Sequence, residues 1–125
     1  MTGKITLEPG NVTLRTWREI MYQQPEIDLV DNTRDKVDLC HQAVAQMLAK
    51  GKPIYAVNTG FGKLAHIRIA DEQVITLQRN LIRSHSVGTG PLFDDNLVRM
   101  IMILKAVALG QGHSGVRWTI VDRLL

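Results

Sequence analysis

The chain has 125 residues, 45% hydrophobic and 22% charged, a balance that allows a packed core and argues against wholesale disorder. Its net charge of +3 is mildly basic, but Lys and Arg are scattered among nearly as many Asp and Glu, with no basic run or aromatic platform, which argues against nucleic acid as a partner. The single cysteine, Cys40, excludes an internal disulfide; with no apolar segment of signal-peptide type near Met1 and no uncharged run of the ~18 residues a membrane span needs, a cytoplasmic chain of one domain is expected.

Ile5 and Leu7 alternate with Thr6 and Glu8 ahead of Pro9-Gly10-Asn11, which predicts a short strand closed by a turn. Thr13 is placed to cap a short helix carrying Leu14, Trp17, Ile20 and Met21. Residues 22–33 are polar, contain Pro25 and read as a connector. A helix is predicted over 33–50, with Val37, Cys40, Val44, Met47 and Leu48 as its stripe and Gly51 as its stop; Cys40 reads there as a small core residue. Pro53 then opens a stretch unlike a helix. Ile54 to Val57 are β-prone and Asn58-Thr59-Gly60-Phe61-Gly62 is turn chemistry, so an extended piece running into a glycine-rich loop is expected.

Residues 71–87 form the clearest amphipathic pattern, with Val74, Ile75, Leu77, Leu81 and Ile82 on one side. Gln78 and His85 fall near the middle of that stripe, where a polar group is costly unless paired. Gly88-Thr89-Gly90-Pro91 breaks the helix, and Asp94 or Asp95 can cap the next. From Leu97 to Leu109 only Arg99 and Lys105 are charged, so that helix has to be surrounded by protein, more than the other helices here supply. Gly110 to Gly115 read as a hinge. Residues 116–125 are helical in pattern and reach Leu124-Leu125 without a cap, so the chain reads as cut within a helix.

Most familiar site chemistry is missing. No HExxH or CxxC occurs, and His41, His66, His85 and His113 are far apart, so no metal site is expected. Gly60-Phe61-Gly62 lacks the third glycine and the βαβ setting of a dinucleotide fingerprint, Gly110 to Gly115 lack the GK[ST] of a phosphate loop, and no GxSxG elbow is present. Two features remain. Tyr55 stands just before a loop whose Gly60 and Gly62 permit positive φ and close approach of backbone N–H groups to a ligand; the ordinary alternative is a packed tyrosine beside a tight turn. Ser84-His85 is the other, and its ordinary alternative is a satisfied core histidine.

Together these residues carry a resemblance. Ile54-Tyr55-Ala56-Val57-Asn58-Thr59-Gly60-Phe61-Gly62 closely resembles the Tyr-Gly-x-Asn-Thr-Gly-Phe-Gly motif of the aromatic amino acid ammonia-lyases. Leu77-Gln78-Arg79-Asn80-Leu81 with Ser84-His85 is similar to their next block, Gly112-x-Ser114-Gly115 to a third, and Leu7-x-Pro9-Gly10 to their opening. Ser84-His85 resembles the histidine-using branch, the histidine ammonia-lyases.

The resemblance implies a mainly α fold, a short N-terminal strand and Gly-rich loop with helices like those of the N-terminal domain of the ammonia-lyase/aspartase-like proteins, assembled as a homotetramer around a shared helical bundle. It implies elimination of ammonia from L-histidine to give trans-urocanate, in histidine catabolism. Tyr55 would be the catalytic base, His85, Ser84 and Gly62 would bind substrate, and Asn58, Thr59, Gly60 and Phe61 would form the loop. A free tyrosine has a pKa of about 10, so the role requires a site that stabilises phenolate. The family's electrophile, a methylidene-imidazolone, is implied to arise from an internal Ala-Ser-Gly; this sequence has none, the nearest being His113-Ser114-Gly115. Residues 1–125 are therefore expected to be the N-terminal portion of such a domain, truncated in a helix and inactive alone. The competing reading is a non-catalytic helical interaction module that buries the 97–109 helix by self-association.

Overall fold

Ile5 and Leu7 do lie on a strand, β1 (Lys4–Leu7), and its partner is β2 (Glu26–Leu29), inside the stretch that reads as a connector. The two pair in parallel, with Ile5 opposite Ile27 and Leu7 opposite Leu29, so one face of the pair is apolar. β2 is hidden in the sequence because its four residues alternate Glu, Ile, Asp, Leu within a polar segment. What makes it a strand is the ladder offered by β1 and the burial of Ile27 and Leu29. The outer face carries ion pairs from Lys4 Nζ to Asp28 Oδ2 at 2.9 Å and to Glu26 Oε1 at 3.5 Å. The connection between the strands is α1 (Leu14–Gln23), capped as the sequence predicts: Thr13 Oγ1 accepts from the Thr16 N–H at 3.2 Å.

The computed structural model describes residues 3–125, which continue through α2 (Asn32–Ala49), a single 3₁₀ turn (Gly62–Leu64), α3 (Asp71–His85), α4 (Asp95–Gly110) and α5 (Trp118–Asp122). These fall into two compact units, one made of residues up to Val44 together with Leu92–Leu125, the other of Ala45–Pro91. No helix among the described residues is long and apolar enough to cross a membrane.

The first unit is organised around α4. Asp94 caps it through the Asn96 N–H, and Ile103, Ala106, Val107 and Leu109 are buried against α1, β2 and α5. Its one early cation is used inside the unit: Arg99 donates to the carbonyl of Pro25, and Asn96 accepts from Gln24, so the entry to β2 is tied to α4. The expectation that α4 is covered on all sides is met on one side only. Val98, Ile101, Met102 and Leu104 remain exposed, because α1, β2 and α5 cover the opposite face. α5 is shorter than the pattern over 116–125 predicts, since Arg117 is still extended (ψ 143°) and the helix starts at Trp118.

The segment after α4 is held against α2. Its Gly112 has φ +77°, and a Cβ there would stand 2.9 Å from the Lys36 backbone. At Gly115 a Cβ would instead stand 2.6 Å from a side-chain methyl of Val44, and the His41 ring bonds the Gly115 carbonyl at 3.0 Å through Nδ1, which must carry the proton because a carbonyl only accepts. Val37 is buried on α2, while Cys40 and Val44 are only half-buried and Met47 is exposed. In the second unit, the stripe of α3 is partly uncovered: Ile75 is 73% and Ile82 67% exposed, while Val74, Leu77 and Leu81 are half-buried.

Two outcomes follow for stability. The Lys4 ammonium bonded to Asp28, then the Leu29 N–H, hold the Asp28 carboxyl below its ordinary range, and the same pair raises Lys4. A carboxyl depressed in the folded state stabilises above its unfolded pKa and loses that contribution as pH falls through the folded value. Thermal midpoints should therefore fall below about pH 4, and Asp28→Asn should flatten that limb slightly, less so in high salt because the pair is exposed. Superimposable profiles of the two proteins would deny the pair any role. Gly112→Ala, with positive φ and a backbone neighbour that cannot rotate away, should cost about 1–3 kcal/mol in denaturant unfolding; an unchanged midpoint would mean that the segment does not sit against Lys36.

Candidate active site

Tyr55 does not lie on an extended piece. Residues 55–58 form a turn in which Val57 N–H and Asn58 N–H both donate to the Ile54 carbonyl, at 3.1 and 3.2 Å. The β-propensity of Ile54 to Val57 is overridden by side chains that bond the bent backbone. Asn58 Oδ1 accepts from Ile54 N–H at 2.7 Å, and its Nδ2 donates to the Lys52 carbonyl at 3.1 Å. Thr59 Oγ1 accepts from Ala56 N–H at 3.2 Å and donates to the Gly60 carbonyl at 3.0 Å. Asn58 and Thr59 are both buried, so such bonds replace those that water would make.

The backbone cost of the turn falls on an unexpected residue. Of the two glycines singled out for positive φ, only Gly62 adopts it, at +54°; Gly60 is buried and not in that region. The left-handed residue of the turn is Ala56, at φ +64°, where an L side chain costs about 1–2 kcal/mol. The motif that this stretch resembles has glycine at that position. Around Gly62 a Cβ would meet nothing within 4 Å, so the backbone there faces open space.

The turn presents Tyr55 outward. The residue is 62% exposed, and its ring meets Phe61 edge-to-face, with centroids 6.3 Å apart and planes at 71°. The loop is fastened onward by Gly60 N–H to the Ile67 carbonyl, Ile69 N–H to the Asn58 carbonyl, both 3.0 Å, and an antiparallel bridge between Thr59 and Arg68. Two residues past Ile69, α3 begins. Gln78, the polar residue flagged in the α3 stripe, has its partners here: its amide Nε2 donates to the carbonyls of Ala56 at 3.0 Å and Val57 at 3.3 Å.

His85 departs from its predicted surroundings. It is exposed in this chain and is not packed into a core here. Its Nδ1 lies 2.9 Å from the Leu81 carbonyl and 3.0 Å from Ser84 Oγ, which also donates to Leu81 at 3.0 Å. The bond to a carbonyl places a proton on Nδ1 and leaves Nε2 of the neutral ring as an acceptor. Gln78 and His85 are seven residues apart and share one face of α3, roughly 10 Å apart along its axis. Tyr55, the loop, Ser84 and His85 thus all belong to the second unit, while His113-Ser114-Gly115 belongs to the first. Among the described residues no group of three or more His, Cys, Asp or Glu is placed to hold a metal ion.

The model of a family described as aromatic amino acid lyase matches residues 12–125. The chain is 40% identical over 119 residues to a histidine ammonia-lyase of Idiomarina loihiensis, covering 95% of this chain and 23% of that one. Among solved structures it is similar to the ergothionase of Treponema denticola, at TM-score 0.88 and 26% identity over 97% of this chain and 24% of that one. It is similar also to a histidine ammonia-lyase of Trypanosoma cruzi, at TM-score 0.83 and 27% identity over 98% of this chain and 24% of that one. The chain spans about a quarter of the length of these relatives. Since the family match takes in every helix and the Tyr55 turn between them, the chain belongs to the aromatic amino acid lyase family.

Proposed function

We propose that this chain supplies the Tyr55-bearing part of a histidine ammonia-lyase, which eliminates ammonia from L-histidine to leave trans-urocanate. One observation carries the reading: the Tyr55 ring is exposed on a turn whose next three residues have their peptide groups hydrogen-bonded. A phenol on a slack loop loses orientation on every encounter, whereas one on a bonded turn is already placed for proton transfer. In this role the Tyr55 oxygen, as phenolate, takes the weakly acidic β-proton of the substrate as the amine departs. Nε2 of His85 accepts from the substrate imidazole N–H, Ser84 Oγ lies beside the His85 ring that makes this contact, and the open backbone at Gly62 leaves room for the ligand. The similarity to histidine ammonia-lyases at 40% identity supports histidine over other aromatic amino acids.

Ammonia is a poor leaving group, and in this family a methylidene-imidazolone built from Ala-Ser-Gly is expected to activate it. These residues do not fit that group. The nearest tripeptide, His113-Ser114-Gly115, has histidine in place of alanine, and Gly115 is held on α2 by His41. The reaction therefore needs more than these 125 residues. The uncovered side of α4, with the mainly apolar hollow between α1 and α4 lined by Leu14, Trp17, Met21, Tyr22, Met100 and Leu104 and by one cation, Arg18, supports burial of this surface in a homo-oligomer, a tetramer by the family resemblance.

The purified 125-residue chain should release no urocanate from L-histidine; a rise in urocanate absorbance would overturn the need for a further segment. The matching quarter of the Idiomarina loihiensis enzyme, replaced by this chain, should give a protein that turns over L-histidine in preference to L-tyrosine and L-phenylalanine. In that chimera Tyr55→Phe should lower kcat about a hundredfold or more, and His85→Ala should chiefly raise KM. Near-normal turnover by Tyr55→Phe would remove Tyr55 from the role of base, and a preference for tyrosine or phenylalanine would remove histidine as substrate.

A further inference from the structure

The bonds that shape the Tyr55 turn come from two sources. Those from Ile54, Asn58 and Thr59 arise within four residues of Tyr55, and they set the shape of the turn without setting its direction. Direction is set by attachment to the rest of the unit. The pairing of residues 58–60 with 67–69 provides one attachment, close to the start of α3. A single short two-stranded attachment is a hinge, about which the turn and its phenol can swing. Gln78 provides a second attachment, two turns into α3, on the carbonyls of the two residues that follow Tyr55.

We propose that Gln78 is the positioning residue for Tyr55: its amide, by holding the Ala56 and Val57 carbonyls to α3, fixes the direction in which the phenol points. The proposal rests on the reading of Tyr55 as the base. Gln78 suits the task chemically, because a primary amide has two N–H donors on one nitrogen and the two carbonyls are adjacent in sequence. It also acts where restraint matters most, since Ala56 is left-handed and relaxation of that residue would turn the peptide that follows Tyr55. Gln78 lies on the same face of α3 as His85, so a rigid helix sets both the proton acceptor's turn and the proposed imidazole contact.

The chain contains only two tyrosines, Tyr22 and Tyr55, so ring-labelled tyrosine reports on the turn with Tyr22 as an internal reference. In the whole 125-residue chain, Gln78→Met keeps the side-chain length and removes the donors. It should move the Tyr55 ring signals toward those of an unstructured tyrosine and abolish the Tyr55–Phe61 contact in nuclear Overhauser spectra. Helical circular dichroism and the Tyr22 signals should stay as in the parent. Gln78→Glu separates the hydrogen bond from side-chain bulk. Its carboxylate cannot donate at neutral pH, so Tyr55 should again be released; on acidification below the carboxylate range one donor returns, and the Tyr55 signals should recover while those of Gln78→Met do not. In the active chimera Gln78→Met should lower kcat about tenfold to a hundredfold with KM little changed.

Unchanged Tyr55 signals in both variants would overturn the proposal. So would a joint loss of the Tyr22 signals and of helix, which would make Gln78 a general support of the fold, or a pH-independent defect in Gln78→Glu. The spectra do not depend on what Tyr55 does chemically. A Tyr55→Phe chimera of normal activity would thus remove the assignment of the base while leaving the spectral result for Gln78 to stand or fall separately.

Discussion

The turn at residues 55–58 takes successive peptide groups out of any helix or long ladder, while Asn58 at its end and Thr59 next to it are buried. A buried or half-buried peptide group without a partner costs on the order of 1–3 kcal/mol, so such a turn exists only if its surroundings supply donors and acceptors at the right places. Much of the second unit follows from that demand. Asn58 closes the turn onto Ile54 and Lys52, Thr59 takes the Ala56 N–H, the 67–69 segment returns to pair with 58–60, and α3 is aligned so that Gln78 meets the remaining carbonyls. Residues whose spacing suggests a ligand loop are thereby occupied in holding the backbone. Of the side chains singled out for chemistry, Tyr55, Ser84 and His85 are left outward.

The first unit solves a different problem. α4 is apolar nearly all round, and the surrounding elements cover only the side carrying Ile103, Ala106, Val107 and Leu109. Two polar side chains early in α4 are spent within the unit: Asn96 and Arg99 bind Gln24 and the Pro25 carbonyl, which fixes where β2 begins and hence its register with β1. Close backbone packing at Gly112 and Gly115 then lays the following segment on α2, where any side chain would intrude.

How much of this was legible in the sequence depended on whether an element is determined locally. Thr13 announced its helix, and the Asp94-Asp95 pair announced α4 with Asp94 proving the cap, because a cap is a local hydrogen bond, and the period of 3.6 located α2, α3 and α4 closely. β2 was not legible, because a four-residue strand with two acidic residues exists only through a partner some twenty residues earlier. The Tyr55 turn reads as extended in the sequence for a related reason: propensity reports the side chains of Ile54 to Val57, whereas the conformation is decided by Asn58, Thr59 and Gln78. The oddity of Gln78 within an apolar stripe was visible, but its partners were not. His85 shows the reverse error. A helical wheel marks which side of α3 is apolar, and it cannot say whether anything covers that side. Family resemblance, by contrast, needed only the motif residues and was legible throughout.

The division of the chain has a bearing on how it is made. The first unit is discontinuous: Val121, fully enclosed in its core, lies far beyond Val44, with the whole of the second unit threaded between. During synthesis β1, α1, β2 and most of α2 leave the ribosome well before α4 and α5, which are needed to seal them, whereas the hydrogen bonds described for the Tyr55 turn are all made between residues 52 and 78. The later-numbered unit is then free to fold first, and the N-terminal segments wait with apolar faces open. Sequence-distant closure of this kind slows folding and lengthens exposure to chaperones, so a polypeptide stalled near Pro91 would display a finished turn beside an unfinished core.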